Sequence, residues 1–155
     1  MSTTTARLVA EPDLITLAAC GDLAAQRRLT ELAMDAFAEG RATFWEAFAW
    51  AMSFGSLAMA HGNLTDKGRM VVLLNYGAQV AQEAGDTARQ CSYEAQALTL
   101  VREAIPQAIA EGCPDVDAML ADYERLIADV SPEGLARVEA IEAQRQAPTH
   151  LHSLH

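Results

Sequence analysis

Five glycines, Gly21, Gly40, Gly62, Gly85 and Gly112, punctuate the chain at intervals of 19, 22, 23 and 27 residues. Glycine enters the left-handed backbone region that ends a helix at little steric cost, so this spacing reads as one helix stop after another. Three of the five are followed at once by a capping residue, in Gly21-Asp22, Gly62-Asn63 and Gly85-Asp86. The side-chain oxygen of Asp or Asn accepts from the free amides of a first turn, so a stop followed by a cap joins two helices in a tight reversal. Alanine supplies 31 of the 155 residues, which favours helix throughout. No segment shows the alternation of a half-buried strand. The expected class is all-α, with six to seven antiparallel helices arranged as stacked hairpins or, alternatively, as a compact up-down bundle.

Apolar positions recur with helical period between the stops. A short first helix is expected over Pro12–Ala19 and a second from Asp22 to Glu39, with Ala25, Leu29, Leu32, Ala33, Ala36 and Phe37 on one face. The third opens at Thr43 with Thr43-Phe44-Trp45-Glu46, a capping box in which threonine and glutamate each satisfy a free amide, and ends at His61-Gly62. The fourth runs from about Thr65 to Ala84 with Met70, Leu73, Leu74, Gly77 and Ala81 in line. The fifth starts at Asp86, and Pro106 within it predicts a kink or a break. Cys113-Pro114-Asp115 opens a sixth helix. Ser131-Pro132 opens a seventh, with serine as cap and proline in the first turn and an exposed Glu133–Arg137 pair. Residues 1–146 read as one domain and residues 147–155 as a tail.

Phe54-Gly55, followed seven residues later by Gly62-Asn63, resembles the first helix and turn of a tetratricopeptide repeat. Cys20-Gly21-Asp22 and Ala84-Gly85-Asp86 look like further copies of that turn. The resemblance covers about residues 20 to 112 and implies paired helices with a protein-binding surface. The chain departs from the family's pattern in its irregular spacing, in Lys67-Gly68 where the family has an alanine and its neighbour, and in lacking the proline that closes each unit.

The 21 acidic residues outnumber the 11 basic ones, for a formal net charge of −10. Such a chain repels nucleic-acid phosphate, so no nucleic-acid partner is expected. The longest charge-free stretch near the middle, Ala47 to Ala60, is too short for a bilayer, so no membrane partner is expected either. The opening MSTTTARLVAEPD lacks the apolar core of a secretory leader. Cys20, Cys91 and Cys113 are odd in number and widely spaced, as three buried thiols in a reducing compartment would be. Together these features point to the cytoplasm, and arginine in place of lysine, with Lys67 alone, suggests a bacterial source.

The residues that stand out are weighed against plainer roles. Phe44, Trp45, Phe48, Trp50 and Phe54 crowd one helix, with Trp45, Phe48 and Met52 on one face and Trp50, Phe54 and Leu57 on another. A helix apolar all round is the central helix of a fold. Its Trp45, Phe48 and Met52 face is the candidate lining of a groove for a partner helix or an apolar ligand, with Met52, Met59 and Met70 as adaptable walls. Asn75 and Gln79, one turn apart, are candidates to read a partner's backbone. Glu46 is accounted for by its capping box, and His61 by the helix end it precedes. His150, His152 and His155 suit adventitious metal binding rather than a built site, and Asp115 and Asp117 do not converge. No metalloprotease, phosphate-loop or nucleophile motif occurs, so neither a catalytic residue nor a cofactor is expected.

Three functions remain. The first is a non-enzymatic protein–protein interaction module, an adaptor or chaperone-like domain with an acidic surface, whose partner is a basic helix or tail read through carboxylates such as Glu94 and Glu103. The second is a helical bundle that binds an apolar small molecule in its aromatic and methionine-lined interior. The third is an acidic inhibitor of a nucleic-acid-binding protein. Homodimerisation is compatible with the first two.

Overall fold

The structure is a computed structural model that describes residues 12–146. The histidines of 147–155 lie outside them. Seven helices follow one another: α1 (Pro12–Ala19), α2 (Leu23–Ala38), α3 (Phe44–Met59), α4 (Leu64–Glu83), α5 (Thr87–Ala110), α6 (Val116–Asp129) and α7 (Pro132–Gln146), with no strand among the described residues. The fold is all-α. Each of the five punctuating glycines has positive φ, between 66° and 95°, and no other described residue does. The capping residues hold as expected at three starts. Asp22 accepts from the Ala25 amide at 2.7 Å, Asp86 accepts from the Arg89 amide at 3.1 Å, and Thr43 and Glu46 complete the capping box. Asn63 stands at the start of α4 without capping it through its side chain.

Pairs of contacts at constant offset fix the relative direction of the helices. Arg27 meets Asp66, and Phe37 meets Tyr76, each 39 residues on. Helices α2 and α4 therefore run parallel. Cys91 lies beside Ser131, and Arg102 binds Glu142, each 40 residues on, so α5 and α7 are parallel too. From α2 to α5 consecutive helices are antiparallel, as three sets of contacts require: Thr30 beside Gly55 with Phe37 beside Phe44, Gly55 beside Met70 with Phe48 beside Gly77, and Lys67 beside Gln107 with Gly77 beside Tyr93. Helices α2 with α3 and α4 with α5 make the most extensive contacts. The sequence pattern pairs α3 with α4 across Gly62-Asn63, and those helices also touch, over a smaller area.

Three apolar clusters hold the layers together. Phe44, Phe48, Met70 and Leu73 form the largest, Leu98 and Val138 anchor the second, and Leu29 with Ala18 and Ala25 the third. Close approach at the centre depends on glycine: a Cβ on Gly77 would lie 2.6 Å from Phe48 Cζ. Helix α3 is central on one side only. Its Phe54 packs, as do Leu14 and Ile15 of α1, against the Ala18, Ala25 and Leu29 cluster, but Leu57 is exposed and Trp50 half-buried.

Several sequence expectations are corrected. Helix α5 continues through Pro106 without a break, because only one backbone hydrogen bond is lost and Ala104 and Ala108 on either side are buried. Pro106 itself is exposed. Pro106→Ala is accordingly expected to raise unfolding stability by about 1–3 kcal/mol, read as a higher urea midpoint at unchanged slope. Of the three cysteines only Cys91 is buried; Cys20 is exposed in the α1–α2 turn and Cys113 half-buried. Glu133 and Arg137 make no ion pair with each other; the α7 arginine that reaches a partner is Arg145, which binds Glu103 at 2.6 Å.

Glu94 is buried at 6% exposure, not a surface charge available to a basic partner. Its carboxylate accepts from Ser131 Oγ at 2.5 Å and from Gln90 at 2.8 Å. Ser131 in turn caps α7 by accepting from the Gly134 amide at 3.1 Å. A side chain from α5 thus secures the first turn of α7, and only a glycine at position 134 leaves it space.

Candidate functional site

Among the depressions beside α3, two draw on several helices. One, about 340 Å3, lies between the parallel helices α2 and α4, with α3 beneath. Helix α2 contributes Arg27, Thr30, Glu31 and Met34, which fall at i, i+3, i+4 and i+7 and share one face. Helix α4 contributes a second stripe through Asp66, Arg69, Val72, Leu73 and Tyr76, and Gly55 and Ala58 form part of the floor. Gly55 has a specific reason to be glycine, since a Cβ there would meet Met70 Sδ at 2.6 Å. Without it Met70 lies flat against α3 and the groove stays open. Val72 is 68% exposed and Tyr76 39%. Two large apolar side chains one turn apart, on the wall of a recess, are a surface that water covers at a cost.

One end of this groove is ionic. Arg27 donates from Nε to Asp66 at 2.9 Å and from a terminal nitrogen to the other carboxylate oxygen at 2.7 Å, a bidentate pair. The Asp66 side chain is 2% exposed and that of Arg27 34%. The Arg27 hydrogen bond, with its charge and that of Arg69, holds the Asp66 carboxyl below the usual aspartate range against the opposing effect of burial. Farther out, Glu31 is shared between Arg28 at 3.5 Å and Arg69 at 3.9 Å. The opposite end, around Met34 and Tyr76, is apolar.

The second depression, about 320 Å3, brings together Met52, Met59 and Met70, the three methionines expected to wall a pocket, with Leu74 and Leu100. Its rim carries Glu103 and Arg145, which are paired.

The residues singled out from sequence do not converge on one site. Phe48 is core, 3% exposed, ringed by Phe44, Trp45 and Tyr93. Trp45 is half-buried, with the Arg89 guanidinium 4.8 Å above its ring. Met52 lines the second depression. Gln79 is exposed and bonds Glu83 on its own helix at 3.3 Å, while Asn75 is half-buried. His61 faces Gln26, Nε2 to Oε1 at 3.1 Å. Ser53 back-bonds to the Ala49 carbonyl at 2.8 Å. The α2–α4 groove was not anticipated, although one signal for it exists: Val72 and Tyr76 are apolar yet lie opposite the buried Met70, Leu74 and Ala81 stripe of α4. Nothing local ties Arg27 to Asp66.

Among the described residues no group of three or more His, Cys, Asp or Glu is placed to hold a metal, and no helix is long and apolar enough to cross a membrane. Comparison with family models, with curated proteins and with solved structures finds no match to this chain.

Proposed function

We propose that the protein is a non-enzymatic interaction module that receives an amphipathic helix in the groove between α2 and α4. The carrying observation is the groove itself: two parallel helices over a glycine- and alanine-containing floor, with Val72 and Tyr76 left exposed on its wall. From Asp66 to Tyr76 the α4 wall is about 15 Å long, the length of three helical turns. A third helix laid there would place apolar side chains at i, i+3 or i+4, and i+7 between the two walls, completing three-helix packing. The parallel α2–α4 and α5–α7 pairs, offset by 39 and 40 residues, support a tetratricopeptide-like stack of hairpins as the frame. A second reading, an apolar small molecule in the methionine-lined depression, draws on a volume in the range of ligand sites. Native mass spectrometry of the purified protein tests it, because a stoichiometric retained mass would favour that reading over the first.

The groove reading is tested with a displayed library of helical 14-residue peptides selected on the full chain. Binders with an apolar ladder are expected, and Val72→Asp should weaken them at least tenfold. Val72 is exposed, so this substitution leaves stability within about 0.5 kcal/mol. Binders indifferent to Val72→Asp, or none at all, would overturn the proposal.

A further inference from the structure

We infer that the groove takes its partner helix in one direction, with the partner's C-terminal end, bearing a carboxylate side chain, seated at Arg69. The inference rests on the groove reading above and adds to it the chemistry and polarity of the occupant. Arg69 is half-exposed, lines the groove and makes no hydrogen bond within the described residues. Among the described residues its sole ion pair, to Glu31 at 3.9 Å, is longer than a charge-assisted hydrogen bond, and Glu31 is also engaged by Arg28. Asp66, the other carboxylate at this end, is buried and held bidentately by Arg27, and Arg69 acts on it through its charge without a hydrogen bond. Among the lining residues Arg27 and Arg69 balance Asp66 and Glu31, and Arg28, outside the lining, competes for Glu31, so the carboxylate that Arg69 reaches is shared between two guanidiniums.

Helix direction adds to the same sign. Helices α2 and α4 begin at Leu23 and Leu64, so both N-termini lie toward the end that holds Arg27, Asp66 and Arg69. Their partial positive charges favour the negative end of an incoming helix. The apolar Met34–Tyr76 end offers no counter-charge to hold the partner the other way round. The occupant therefore runs antiparallel to α2 and α4. A basic segment, favoured at long range by the net charge, meets repulsion at this end of the groove.

The test uses the best peptide from the displayed library, with both termini blocked, in two forms. One carries Glu in the last turn and Lys in the first; the other has these exchanged. Fluorescence anisotropy against the full chain, Arg69→Glu and Val72→Asp is read at low and high salt. The form with Glu in the last turn should bind at least fivefold more tightly at low salt, with the difference collapsing at high salt. Arg69→Glu should abolish or invert the preference, and Val72→Asp should weaken both forms. Equal affinity of the two forms, or preference for the exchanged one, overturns the inference while leaving the groove reading intact if Val72→Asp still weakens binding. Binding that ignores Val72→Asp, or a library without binders, overturns both.

Discussion

Phe48→Ala is expected to destabilise the fold by about 3–5 kcal/mol, the range for emptying a buried phenylalanine site. A second substitution then changes sign. Phe48 is wedged between the rings of Phe44, Trp45 and Tyr93 and presses on α4 where Gly77 has no side chain. In the native background a Cβ at position 77 would meet Phe48 Cζ at 2.6 Å and Cε2 at 2.7 Å. Gly77→Ala gains about 1 kcal/mol of helix propensity but overpacks a rigid ring, at about 1–3 kcal/mol, so a net loss follows. With Phe48 already alanine the ring clash is gone, Tyr93 Cδ2 at 3.2 Å has only a few tenths of an ångström to yield into the vacated space, and the propensity gain remains. Gly77→Ala should then stabilise. Urea unfolding of the four proteins completes the cycle, and a Gly77→Ala effect of equal size in both backgrounds would refute the account.

The Arg27–Asp66 pair should show an asymmetry. Arg27→Met strands a carboxylate that is 2% exposed, and an uncompensated buried charge costs of the order of 3–5 kcal/mol. Proximity to Arg69 and water reaching down the groove place this case at the low end. Asp66→Asn leaves an arginine one-third exposed, which the groove hydrates, and should cost less. The pH dependence follows from the direction of the Asp66 shift. Its folded-state pKa is depressed, chiefly by the Arg27 hydrogen bond. Its contribution to stability is therefore fully present above the ordinary aspartate pKa of about 4 and is lost as pH falls through the folded-state value. Asp66→Asn should flatten the stability profile below pH about 4, and Arg27→Met should lose more stability than Asp66→Asn at pH 7. The reverse order at pH 7, or an unchanged acid limb in Asp66→Asn, would count against the buried pair.

What could be read from sequence was local. A glycine with positive φ, an aspartate cap or a capping box is decided within about four residues, and Gly21, Asp22, Thr43, Glu46 and Ser131 appear where that logic puts them. Misjudged features depend on partners about 40 residues away. Glu94 reads as a surface carboxylate until Ser131 is brought against it, although its place on the face of Cys91 and Leu98 was a clue. Pro106 reads as a kink or a break, and the break is excluded only once the buried Ala104 and Ala108 on either side are known to hold the helix together. The groove has the same origin. It belongs to neither α2 nor α4 alone, and the offset that sets Arg27 opposite Asp66 leaves no mark in either segment.

The constant offset between parallel helices also bears on how the chain is made. The hydrogen bonds, ion pairs and ring contacts seen between helices α2 to α7 join positions no more than 48 apart, the distance from Trp45 to Tyr93. Low contact order of this kind belongs to fast folding, with little loop entropy spent before contacts form. Each helix meets its polar partners within about two helices of its own synthesis. The chain can therefore consolidate from its N-terminus while the ribosome is still adding α6 and α7. The groove between α2 and α4 would then be formed, and competent to hold a helix, before the C-terminal third exists.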